Sequence, residues 1–220
     1  MAIFTLKTIR FLVPAILLYM AAVLFCWVSN WCSLAVPESY ETFGKSLVAI
    51  ALGAIYYALP LRECANQVYF DRVNRNLIYQ LTLPFIKDPA FPRDLTWRQA
   101  RRVFYPYVDN DKSLEHLKVL AFWNGAVWTS AADLRMIAGL GMIFFALIML
   151  MANLVGDNNF DDAKAAYAIL LLVLLFLVSI VLSELTTRRH VRIGTQQAEQ
   201  IRLQHRDELR AKLIEARSSP

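Results

Sequence analysis

Charge-free stretches alternate with charge-rich ones along this chain. No Asp, Glu, Lys or Arg occurs in Phe11–Pro37, Ser46–Leu61, Met136–Gly156 or Ala165–Ser183. A helix needs roughly 18–20 apolar residues to cross a hydrocarbon core of about 30 Å, and the first, third and fourth runs approach or exceed that. The second is short, but Tyr56 and Tyr57, with Lys45 and Arg62 snorkelling at its ends, can extend it. The pattern predicts an all-α integral membrane protein with four transmembrane helices in two hairpins, at residues 1–62 and 131–186. A helical cytosolic insertion occupies residues 63–130, and a helical C-terminal tail occupies 187–220.

Finer periodicities fill in the elements. Pro14 falls early enough in the first apolar helix to be accommodated, and Trp27, Trp31 and Tyr40 form an aromatic belt at its far end. The second run carries Ala49 and Gly53, then Ala54 and Ala58, small residues four apart that let helix backbones approach closely. They can serve packing inside the same bundle, the favoured reading, or an oligomer contact. In the insertion, Glu63–Leu83 reads as helix, and Pro84, Pro89 and Pro92 break the chain. Asp94 or Thr96 can cap a second helix, Trp97–Tyr105, ended by Tyr105, Pro106 and Tyr107. A third is expected over Ser113–Trp123, ended by Asn124 and Gly125. Ser130 and Asp133 then resemble a capping box opening the third span. In the tail, Ala198, Ile201, His205, Leu209, Leu213 and Ala216 recur at three- and four-residue intervals. Such a narrow stripe suits a partner helix, a short coiled coil or the membrane surface.

Charge changes the picture by giving the chain a direction. Of its 23 Lys and Arg residues, 21 lie in the N-terminal segment, the insertion or the tail, and only Lys45 and Lys164 fall in the two short hairpin loops. Basic residues accumulate on the cytoplasmic side, so both termini and the insertion are expected in the cytoplasm of a bacterial inner membrane. The net charge of +5 is then explained by anionic lipid headgroups and topology. No nucleic-acid partner is expected, because acids interrupt the basic residues throughout. The first apolar run is too long for the apolar region of a typical cleaved signal peptide, so it is expected to remain as a span. Cys26, Cys32 and Cys64 are too few and too scattered for a disulfide framework.

Candidate chemistry adds little. The chain has no phosphate-binding glycine loop, no paired cysteines at metal spacing, no H-E-x-x-H and no nucleophile elbow. His116, His190 and His205 each sit among charged residues and read as solvated surface side chains. Asp109 and Asp111 open like a calcium loop but lack the glycine and the distal glutamate that one requires. Asp157, Asp161 and Asp162 read as a hydrated turn. The predicted spans carry no ionisable side chain, which argues against an ion-coupled transporter. The expectation is a non-enzyme without catalytic residues, metal or cofactor.

Recognition remains. The insertion gathers aromatic residues and arginines, the types that dominate interface hot spots. Trp97, Arg98, Arg101, Arg102 and Tyr105 form the candidate partner-binding group, with the three arginines at helical spacing. The expected partners are the lipid bilayer, another membrane protein and, through small-residue packing, further copies of this chain. In length, in its two-hairpin layout and in its charged cytosolic centre and tail, the chain resembles the entry-exclusion proteins of I-type conjugative plasmids. This resemblance covers the whole chain in layout and rests on no shared motif, so it assigns no residue. It implies an inner-membrane protein of the recipient cell that blocks uptake of a related plasmid by recognising a donor transfer protein. Two other roles fit the same pattern: an oligomeric, pore-forming effector of phage defence, and an accessory subunit of a transport or secretion complex.

Overall fold

The computed structural model describes residues 2–29, 51, 53–89, 91, 94–156 and 161–218. Among them the fold is all-helical. The helices are α1 (Ala2–Val28), α2 (Leu61–Thr82), α3 (Trp97–Asn110), α4 (Glu115–Val155), α5 (Asp162–Gln204) and α6 (Arg206–Ser218), and residues 53–58 are also helical. Short 3₁₀ turns, Leu83–Phe85 and Lys112–Leu114, punctuate the connections. Three segments are long and apolar enough to cross a membrane: Phe11–Val28, Lys112–Val155 and Asp162–Gln204. Part of the second predicted span, including Ala49, lies outside the described residues, as do Cys32 and Asp157.

The chain divides into two compact units. The first comprises Met1–Asn66 and Ala126–Ser183. Its core contains Ala138, Phe145 and Ala152 of α4 with Ala165, Ala168 and Leu172 of α5. Most of these are small, so the two helix backbones come close. A Cβ on Gly141 would lie 3.1 Å from Leu172 Cδ1. Bulky side chains point the other way: Leu140, Ile143, Phe144, Leu147, Leu150 and Leu154 on α4 are all exposed. Small residues inside and large apolar ones outside is the arrangement favoured when the surrounding medium is itself apolar. Phe25 of α1 adds edge contacts to Phe144 and Phe145, with ring centroids at 5.4 and 6.3 Å.

The second unit comprises Gln67–Gly125 and Glu184–Pro220. Its core brings Leu77, Leu81, Phe85, Phe91 and Leu114 together with Ala198, Ile201, Leu209 and Leu213. The apolar stripe of the tail is therefore buried within its own chain. α6 packs against α3, and Leu209 and Leu213 are fully enclosed. Neither a partner helix nor the membrane surface is needed to cover that stripe.

Three expected helix boundaries are absent. Asn124 and Gly125 lie inside α4, which runs without interruption from Glu115 to Val155. A mid-helix glycine costs about 1 kcal/mol relative to alanine. That cost is offset here because the buried Asn124 amide donates to the Thr186 carbonyl oxygen at 2.8 Å and lies 3.1 Å from His190 Nδ1. No capping box starts a new helix at Ser130. Its hydroxyl donates back to the Ala126 carbonyl at 2.9 Å, and Asp133 is engaged elsewhere. Pro106 likewise fails to stop α3, which continues to Asn110 because Tyr107 and Val108 are buried against the core.

Candidate interaction surface

Thr96 positions α3. Its extended backbone precedes the helix, its hydroxyl accepts from the Gln99 amide, and Gln99 Oε1 accepts from the Thr96 amide at 3.0 Å. Both donors of a capping box are thus satisfied at one end. From this start the helix is strongly two-faced. Ala100, Val103, Phe104, Tyr107 and Val108 point into the core. Arg98, Arg101, Arg102 and Tyr105 point outward, Tyr105 with half its surface exposed. Trp97 is half-buried and meets Tyr105 edge-on, at 6.4 Å between centroids and 73° between planes. All five residues singled out by spacing therefore cluster on one side of one helix.

Ion pairs hold this helix and its surroundings. Arg210 of α6 reaches Asp88 at 2.6 Å, Arg217 reaches Asp94 at 3.1 Å, and Lys118 of α4 reaches Asp109 at 2.9 Å. Beside the C-terminal end of α3, a cleft of about 560 Å³ is lined by Tyr107, His205, Glu208 and Lys212 among others. The His205 ring stacks on Tyr107 at 5.0 Å and stands 3.6 Å from Asp111 and 3.5 Å from Glu208. Hydrogen bonds from Ser113 hold Asp111 below the usual carboxylate range, and Lys212 does the same for Glu208. Burial pushes the Tyr107 phenol up.

The histidines separate into three environments. His116 is exposed and His205 is flanked by carboxylates. His190, expected on the surface, is instead drawn against Asn124, and burial lowers its pKa. Among the described residues no group of three or more His, Cys, Asp or Glu could hold a metal ion.

The small-residue positions divide. A Cβ on Gly53 would come within 2.6 Å of Ala15 Cβ, so Gly53 is where the second apolar run meets α1. Ala54 and Ala58 are exposed, and Ala49 lies outside the described residues.

Spacing did not reveal one cluster in the first unit. Arg62 at the start of α2 grips both carboxylate oxygens of Asp133, each at 2.7 Å, and Tyr56 donates to the same carboxylate at 3.0 Å. Arg135, two residues further along α4, donates to Ser183 Oγ at 3.0 Å, to Asn66 Oδ1 at 3.3 Å and to the Ala65 carbonyl. The one available signal was the charge itself, since Asp133 and Arg135 stand immediately before a long apolar run. Comparison of the chain with family models, curated proteins and solved structures gives no significant match.

Proposed function

We propose that this chain is a non-enzymatic, four-span protein of the bacterial inner membrane that acts by protein–protein recognition through its cytosolic unit. The apolar segments Phe11–Val28, Lys112–Val155 and Asp162–Gln204 and the concentration of basic residues outside the hairpin loops support the membrane and topology reading. One observation carries the recognition reading. α3 is fixed by its buried face and by α6, while its other face offers Arg98, Arg101, Arg102 and Tyr105 to solvent. A rigid helix presenting arginine and aromatic side chains loses little entropy on binding and supplies the residue types that dominate hot spots. The setting we put forward is plasmid entry exclusion, in which the recipient's inner-membrane protein recognises an incoming transfer protein.

The test is a mating assay into recipients that make this chain. Uptake of a related plasmid falls by tenfold or more, and the triple variant Arg98→Glu/Arg101→Glu/Arg102→Glu restores it while remaining at normal levels in the membrane. A fully active triple variant would show that α3 is not the recognition surface. Ion conductance of the purified chain in liposomes would instead favour a pore-forming effector.

A further inference from the structure

The outer face of α3 also specifies the chemistry of what binds it. On a helix, side chains three and four residues apart are about 5–6 Å apart. Arg98, Arg101, Arg102 and Tyr105 therefore form a continuous row roughly 10 Å long at a rise of 1.5 Å per residue. Asp88 pairs with Arg210, Asp94 with Arg217 and Asp109 with Lys118, while Glu215 lines a cleft with Arg102. Among the described residues, neither Arg98 nor Arg101 forms an ion pair. Arg98 and Arg101 carry planar forks that pair with carboxylates bidentately, whereas a lysine would offer only a point charge. Tyr105 and the edge of Trp97 add an apolar patch at the row. The row covers only two helical turns, far shorter than the stripe a nucleic acid would require.

We infer that this face receives an acidic segment of a partner protein, about two helical turns long, with carboxylates at helical spacing and one apolar side chain against Tyr105. The inference rests on the recognition reading and deepens it by giving the partner's chemistry. Bulk attraction between a basic protein and any anion requires no spacing. A row of forks beside an aromatic edge does.

The experiment uses the full chain in nanodiscs of zwitterionic phosphatidylcholine. The probe is a synthetic helical peptide with glutamates at positions i, i+4 and i+7 and one leucine, set against a peptide of the same composition in scrambled order. Fluorescence anisotropy is expected to show the ordered peptide binding at least tenfold tighter. Arg98→Gln/Arg101→Gln should remove that preference, whereas Arg189→Gln/Arg192→Gln, which changes two exposed arginines of α5, should keep it. Equal binding of both peptides, equal loss in both variants, or no binding at all would overturn the inference. So would protection of Arg98 and Arg101 from phenylglyoxal by phosphatidylglycerol nanodiscs without peptide, which would make the face a lipid anchor. If the triple variant fails in cells while the peptides are not discriminated, recognition stands and the acidic partner falls. If the triple variant remains active, the recognition reading itself falls.

Discussion

Arg62 and Asp133, 71 positions apart, meet in a two-pronged ion pair, Nε to Oδ1 and Nη2 to Oδ2, each at 2.7 Å. The Asp133 side chain is 1% exposed and that of Arg62 16%. The pair links the start of α2 to α4. Breaking a buried pair costs about 3–5 kcal/mol because one charge is left without compensation, whereas replacing both members with apolar side chains is often neutral or better. Asp133→Leu alone should therefore lower stability by about that amount. Arg62→Met/Asp133→Leu should recover most of it, with a small residual loss because the Tyr56 hydroxyl loses its acceptor. Thermal unfolding in detergent, followed by light scattering, checks the ordering of the two variants.

Gly53 and Ala54 are neighbours with opposite environments. Any side chain at Gly53 meets Ala15 Cβ at 2.6 Å and its backbone Cα at 3.3 Å, whereas Ala54 is exposed. Gly53→Val should destabilise the first unit by about 1–3 kcal/mol through overpacking. Ala54→Val should stay within about 0.5 kcal/mol of the parent. Denaturation of both variants in the same detergent gives the comparison.

Leu213 is fully enclosed where α6 covers α3. Leu213→Ala should cost about 2–5 kcal/mol, the range for emptying a buried leucine site, and should loosen α6. Limited proteolysis should then cut within Arg206–Ser218 several times faster than in the parent. Glu215→Ala, at an exposed position of the same helix, should not change the cutting rate.

His190 sets a pH dependence in the second unit. Burial holds its pKa below the ordinary value of 6.5, so the folded form favours the neutral ring. Below pH 6.5 the unfolded chain binds a proton that the folded chain does not. Stability due to this residue is thus complete above that pH and is lost as pH falls towards the depressed folded value. Melting temperatures between pH 7.5 and 5.5 should fall more steeply for the parent than for His190→Gln, a range of about one unit either side of the ordinary imidazole pKa.

The elements that depend on local pattern were legible in the sequence. Apolar run length marked the three membrane-capable segments, and period-3.6 spacing placed Arg98, Arg101 and Arg102 on one face. Misreadings came where tertiary contacts override local preference. Asn124 and Gly125 look like a helix end until the amide of Asn124 is seen bonded to Thr186, 62 residues away. Pro106 looks like a terminator until the burial of Tyr107 is known. The stripe Ala198–Ala216 announced that something must cover it, but it is covered by residues of α2, α3 and their connection in the same chain, and nothing in the tail encodes that choice. Pairing of Arg62 with Asp133 was equally invisible, because no local rule connects residues so far apart.

The membrane arrangement is the claim on which the functional reading stands, and impermeant thiol labelling tests it most directly. In a chain with Cys26, Cys32 and Cys64 changed to serine, Arg101→Cys and Lys164→Cys are each exposed to a membrane-impermeant maleimide on intact spheroplasts. The account predicts that Lys164→Cys reacts at once and that Arg101→Cys reacts only after the membrane is permeabilised. Labelling of Arg101→Cys in intact spheroplasts, or recovery of either variant in the soluble fraction without detergent, would contradict it.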